Sequence, residues 1–228
     1  MKFLSFLFLL VTFNMMAETD FEKAEKLYKQ EKYDQAKILF EIYLKTNPNH
    51  YKTFEYLGDI AGHQKKWDEA IKQYRVLKTQ FPKTAIYWYK YGGALGMKAK
   101  SVNKFKALGM IDDVENAFLT AAKLDVKHIG SRWALVMLYI ELPGIVGGSE
   151  TKAVKYSNEL MELSKVDGYL SKGYIDEYFN HYKKAEANYI KAHEIGNSKT
   201  TFQKLYNLYL NKIKDKAKAT KLKEQFEK

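Results

Sequence analysis

The residues best able to do covalent chemistry stand together in one stretch, Leu142 to Ala153, which reads LPGIVGGSETKA. Ser149 and Lys152 have the S-x-x-K spacing at which a lysine can activate a serine nucleophile. Only two of its four places are specified, and no K-T-G follows in the chain. Gly147 and Gly148, ahead of a helix start, could instead turn backbone N–H groups toward an anion. A P-loop, however, needs G-x-x-x-x-G-K-[ST], and Ser149 rather than lysine follows Gly148. As punctuation the stretch explains itself better. Pro143 ends one helix, Gly144 and the Gly147–Gly148 pair permit positive φ, and Ser149 caps the next helix with Glu150 in its first turn. No catalysis is expected here. Ile145 and Val146 are left over, and two β-branched apolar residues on a turn should be tucked under a neighbouring segment.

The remaining candidates for chemistry are few. The five histidines, His50, His63, His128, His181 and His193, lie far apart without ligand spacing, so no metal site is expected. No nucleotide fingerprint or pair of catalytic carboxylates stands out, which implies no cofactor and no enzyme. Lys98, Lys100, Lys104 and Lys106 crowd one segment and could meet a phosphate or carboxylate surface, or could simply solvate an extended helix. Only Arg75 and Arg132 are arginine, whereas bidentate readout of phosphate or guanine favours arginine. Nucleic acid is therefore not the expected partner, despite a net charge of +11.

These residues need elements to position them, and the composition supplies them. The chain has 228 residues, 46% hydrophobic and 15% aromatic, with three prolines and no cysteine. That is ample material for a packed core. Its first 17 residues differ from the rest: Met1-Lys2, an apolar run from Phe3 to Phe13, then Asn14 to Ala17 before acidic Glu18 and Asp20. This is the order of parts in a secretory signal, with cleavage expected after Ala17. Removing the segment takes away one lysine and leaves +10 of the +11. Beyond it no apolar run reaches the roughly 20 residues of a membrane span.

An internal period decides the fold. Pro48 and Pro82 are 34 apart, and the same spacing sets Ala24 under Gly58, Tyr33 under Trp67, Ala36 under Ala70 and Phe40 under Tyr74. In the second copy Phe54, Leu57, Gly58 and Ala61 share one helical face, and Trp67, Ala70, Tyr74 and Leu77 share another, with Pro82 closing the unit. Gly58 and Ala70 should be small because the two helices cross there.

This pattern resembles the tetratricopeptide repeat (TPR) family, whose 34-residue signature is W-x2-L-G-x2-Y, A-x3-F and P. The third copy opens with Trp88, Tyr91, Gly92 and Leu95 and closes with Ile111, Phe118 and Ala121. Leu135, Tyr139, Ala153 and Leu160 hold the fourth, and Gly173, Tyr182, Ala185, Tyr189 and Ala192 the fifth. The expected architecture is a signal peptide at 1–17 and an all-α, right-handed solenoid over 18–228. Its repeats lie near 18–50, 51–84, 85–128, 129–167 and 168–199, followed by a capping pair at 200–228. The resemblance implies a non-enzymatic scaffold that grips a protein or peptide in its concave face. The Pro143–Ser149 element also resembles one in a group of exported bacterial repeat proteins, and the signal-like first 17 residues make the periplasm or the cell exterior the expected location.

Two repeats break the period, both between their paired helices: about ten extra residues between Leu95 and Ile111, and about five around Pro143. Such turns share one edge of a solenoid, so the two should be neighbours. Together Lys98, Lys100, Lys104, Lys106, Ile145, Val146 and Ser149 form a candidate binding edge, or a pair of tolerated loops. On the concave face the resemblance places Phe21, Tyr28, Tyr56, Tyr89, Lys90, Trp133, Met137, Tyr174 and Tyr178, a row rich in the aromatic residues of interface hot spots. Lys90 alone resembles the family's carboxylate clamp, and Glu25, Glu55 and Asp59 stand where such a clamp wants neutral or basic groups. An apolar or aromatic peptide or helix suits this row better. The alternatives are that several of the tyrosines pack against neighbouring helices, or that the same groove serves a small-molecule-binding accessory of an envelope transport system.

Overall fold

The computed structural model describes residues 18–226; the signal expected at 1–17 lies outside them. The described residues form antiparallel helix pairs: α1 (Asp20–Lys29) with α2 (Tyr33–Thr46), α3 (Tyr51–His63) with α4 (Trp67–Gln80), and α5 (Ala85–Ser101) with α7 (Ile111–Leu124), the short α6 (Lys104–Leu108) lying between. α8 (Ile129–Glu141) pairs with α9 (Glu150–Leu163), and α10 (Lys165–Tyr178) with α11 (Tyr182–Gly196). α12 (Lys199–Asn207) continues into a π-helical segment, Leu208–Ile213, and α13 (Lys216–Phe226) closes the stack. The fold is an all-α solenoid.

One side-chain exchange recurs through it. The eighth residue of α2, α4, α7 and α11 is aromatic: Phe40, Tyr74, Phe118 and Tyr189, all buried. Each ring meets a small residue of its partner helix. A Cβ added at Gly58 would run into the Tyr74 ring, one at Gly173 into Tyr189, and one at Gly92 into Ala117 and Phe118. Glycine is present because a ring takes the space, which outweighs its cost of about 1 kcal/mol in a helix interior. In the fourth pair the sizes invert: Val136 is eighth in α8 and Ser157 eighth in α9, and the buried Ser157 hydroxyl bonds that of Ser171 at 2.7 Å.

The turns divide the repeats in the same way. In the first, second and fifth pairs the helices are joined through a single residue at positive φ, Glu31 (59°), Lys65 (57°) and Asn180 (62°). The third and fourth pairs have no such residue and take longer routes. α5 runs on to Ser101, so much of the expected ten-residue insertion is helix, and Asn103 then caps α6 by accepting from the Lys106 N–H. After α8 comes one 3-10 turn, Gly144–Val146, tied at its base where the Ser149 N–H donates to the Tyr139 carbonyl at 2.8 Å.

The buried residues fall into three clusters. Ala24, Ala36, Phe40, Leu57 and Ile60 form the first, a large central one spans α3 to α10, and Tyr189, Leu205, Leu208 and Leu222 belong to the last. Leu77, Leu135 and Leu160 are fully buried in the central cluster, each contributing about 1.5–3 kcal/mol. Among the described residues no helix is long and apolar enough to cross a membrane.

Candidate functional site

The first helices of successive pairs adjoin along one side, with α8 contacting both α5 and α10. Polar bonds cross between them. Tyr56 donates its hydroxyl to Glu25 at 2.7 Å, Lys90 reaches Glu55 at 2.9 Å and Asp59 at 2.7 Å, Trp133 donates to Asp167 at 2.7 Å, and Tyr174 to Glu141 at 2.9 Å. The Tyr74 hydroxyl adds a bond to Asp59 at 2.6 Å. Burial raises the Tyr56, Tyr74 and Tyr174 phenols well above their usual range, and the carboxylates they face add to it. Burial alone would lower the Lys90 ammonium, but its bonds to Asp59 and Glu55 outweigh that and hold it above the usual lysine value. Its charge is already matched within the protein, so the clamp that Lys90 suggests has no free cation there.

The aromatic row therefore divides. Tyr56 stacks on Phe40 with centroids 4.8 Å apart, Tyr28 packs against Tyr33 and Tyr56, and Phe21 lies within the same cluster. Tyr89 leans on Phe118 and His128, with Gly130 leaving room for its ring. Trp133 and Tyr174 are half-buried with their polar ends bonded. Met137 and Tyr178 stay open, 40% and 47% exposed. Much of the row holds the stack together, as the packing alternative anticipated.

Free apolar surface gathers at one part of the row, where Tyr89 and Met137 line a cleft. It opens between α5, α7 and α8, with a volume of about 510 Å³. Met97 and Met137 stand on its walls, with Ile111, Val114, Phe118 and Leu138 behind them. Its only charged lining residues, Lys100 and Glu141, pair with each other at 2.5 Å, and the Tyr174 bond to Glu141 anchors that pair. Gly93 and Gly96 form part of the α5 wall, and they differ from Gly92. A Cβ at Gly93 would meet no atom within 4 Å, and one at Gly96 would make only ordinary contact with Val114. Neither glycine is required by the helix crossing, yet each carries the helix-interior cost. What they keep open is the cleft. The sequence signal was the doubled Gly92-Gly93, of which the repeat pattern accounts for only the first.

The cleft also locates both long turns, since Ala107 of α6 and Leu142 at the end of α8 line it together. The two insertions are neighbours. Lys98 pairs with Asp68 and Lys100 with Glu141, while Lys104 and Lys106 lie exposed on α6. Ser149 caps α9, accepting from the Lys152 N–H at 3.2 Å, and the Lys152 ammonium turns away to Glu115 at 3.3 Å, so no serine–lysine pair forms. Three expectations need correction. Ile145 is not tucked away but 96% exposed, and Val146 is only half-buried. Gly144 does not adopt positive φ; of the turn's glycines only Gly147 does, at 101°. Gly148 is glycine because a Cβ would strike the Leu142 carbonyl as the chain doubles back. Among the described residues no three His, Asp or Glu side chains converge as metal ligands.

Beside the cleft, His128 caps α8 by accepting from the Ser131 N–H at 3.0 Å, a bond that needs its Nδ1 unprotonated. Burial lowers its pKa, with Asp125 opposing and Arg132 assisting, so the capping form is the favoured one.

Neither a protein-family model nor a curated protein matches the chain in sequence. Solved structures do match in shape. A thermophilic TPR protein of Thermus thermophilus superposes with a TM-score of 0.67 at 16% identity, over 84% of this chain and 97% of that one. YrrB, a TPR protein with an unusual peptide-binding site, gives 0.54 at 14% identity, over 80% of this chain and 87% of that one. Human IFIT1, solved as a dimer with m7Gppp-AAAA, gives 0.71 at 18% identity, over 87% of this chain and 47% of that one. At such identities the likeness concerns the fold, and the fold of this chain is the TPR solenoid.

Proposed function

We propose that the chain is a non-enzymatic binding scaffold of the bacterial cell envelope, holding a protein or peptide partner by an apolar side chain seated in the α5–α7–α8 cleft. The observation that carries this reading is Gly93, a helix-interior glycine on the cleft wall where an added Cβ would meet no neighbouring atom within 4 Å. Met97 and Met137 on the cleft walls are adaptable contacts for an apolar anchor. The TPR fold supports a recognition role, and the peptide site named for YrrB shows that such stacks can serve one. An exported location rests on the signal-like first 17 residues.

The test fills the cleft without disturbing the stack. Gly93→Leu should match or exceed the melting temperature of the parent and lose any envelope protein that the parent retains on co-purification. Equal recovery by both proteins would remove the cleft from the mechanism. A second reading, an apolar small molecule as the occupant, is favoured by the cleft's volume, which lies in the range of small-molecule sites. Native mass spectrometry separates the two: a small bound mass present in the parent and absent from Gly93→Leu selects the second.

A further inference from the structure

The two most exposed large apolar side chains among the described residues are Ile145, at 96%, and Phe105, at 87%. Both stand on the over-long turns, one on each, and the turns meet at the rim of one cleft. Single exposed apolar residues are ordinary on a protein surface. Two nearly bare ones on adjacent insertions, in a chain whose other repeats are joined by three-residue turns, form a feature of a different kind.

Their charged surroundings indicate what they meet. Phe105 lies between Lys104 and Lys106, and from Met97 to Ile111 the chain has four lysines and no acid. The turn from Leu142 to Ser149 has no charge at all. Acidic residues return only with Asp112, Asp113 and Glu150, in the first turns of α7 and α9. Lys98 and Lys100 are paired with Asp68 and Glu141, which leaves Lys104 and Lys106 as the exposed cations beside Phe105. Leu108, one turn along α6 and 46% exposed, extends the apolar surface.

We propose that these two turns form a docking surface for an anionic lipid bilayer. Phe105, Leu108 and Ile145 enter the boundary between headgroups and acyl chains, while Lys104 and Lys106, on long stems, reach the phosphates above them. A bilayer suits this patch because it needs no shape complementarity, and Phe105, Leu108 and Ile145 project from the two turns without entering the lining of the cleft beside them. The docked chain would hold the mouth of the cleft close to the membrane.

The absence of cysteine permits a direct test on the full chain. Ile145→Cys labelled with a polarity-sensitive dye is compared with Lys45→Cys, an exposed site on α2, using phosphatidylcholine vesicles with and without phosphatidylglycerol. The expected result is a blue shift at position 145, not at 45, that requires phosphatidylglycerol and disappears when Phe105→Asp is added. Lys104→Gln combined with Lys106→Gln should raise the lipid concentration for half-maximal shift roughly thirtyfold. The apolar run from Phe3 to Phe13 is common to all variants and cannot produce these differences. Equal shifts at both positions, or no shift at 145 on vesicles that retain the chain, would overturn the proposal. The second result would mark the patch as a protein contact instead.

Discussion

Repeats two and five, set beside repeats three and four, show what the TPR pattern is for. In the first pair of repeats every signature residue is consumed by stacking: Gly58 receives Tyr74, Gly173 receives Tyr189, and three-residue turns close each unit. In the second pair the pattern loosens. Gly92 still receives Phe118, but Gly93 beside it has no ring to receive, repeat four exchanges glycine for valine and ring for serine, and both turns lengthen. The loosened part is where the molecule has the cleft and its two most exposed apolar tips. Regularity serves the scaffold, and its interruptions supply whatever the scaffold presents.

That division can be broken most severely at the regular crossings. Gly173→Leu drives a side chain into the Tyr189 ring and should lower stability by about 3 kcal/mol in urea unfolding, whereas Gly93→Leu should cause no loss and gain up to about 1 kcal/mol from helix propensity. Comparable losses at the two sites would erase the distinction. Next in size is the inner polar ladder. Lys90→Met leaves Asp59 without its cation and Glu55 with Lys52 alone, and should lose about 2 kcal/mol at neutral pH. The same cluster sets a pH window. Burial tends to raise the Glu55 pKa, but Lys90 outweighs it and holds the value below the ordinary 4.5. Its contribution is therefore complete above about pH 4.5 and fades as pH falls through the folded value. Lys90, held above its ordinary 10.5, contributes fully below that pH and loses its contribution as pH rises through its own folded value. The deficit of Lys90→Met should accordingly shrink in acid, as urea titrations at a series of pH values would show.

A finer test uses adjacent residues of one helix. Gly92→Ala should lose about 1 kcal/mol, because its Cβ would sit 2.9 Å from that of Ala117. Gly93→Ala should gain a similar amount from helix propensity alone. Thermal melts that move in the same direction would contradict the assignment of crossing and cleft. The smallest effect is expected at the tight turns. Lys65→Gly relieves a non-glycine residue at positive φ and should gain about 0.5 kcal/mol, a change with no counterpart in the turns of repeats three and four.

The solenoid was legible in the sequence because its determinants are periodic. Ala24, Gly58, Phe40 and Tyr74 sit in register at a spacing of 34, and the crossing they form needs no information from elsewhere in the chain. Ser149 as a cap and Pro143 as a stop were legible for the same local reason. The cleft was not. It depends on three helices from two repeats, and the doubled Gly92-Gly93 that marks it acquires meaning only once Gly93 is seen to lack the neighbour that Gly92 has. The aromatic row was legible as a set but not as a function. Whether Tyr56 greets a ligand or bonds Glu25 depends on the offset between adjacent repeats. Ile145 was misjudged on the assumption that an apolar residue must find cover.

The three core clusters also bear on how the molecule comes apart. Trp67, Trp88 and Trp133 all stand on α4, α5 and α8, within the span of the central cluster, and α1, α2 and the helices after α10 have no tryptophan. Indole fluorescence is thus a witness to the middle of the stack alone. If the terminal pairs fray before the cleft gives way, the emission will stay native while the far-ultraviolet dichroism is already falling, and the gap between the two curves will measure how independently the ends of this protein melt.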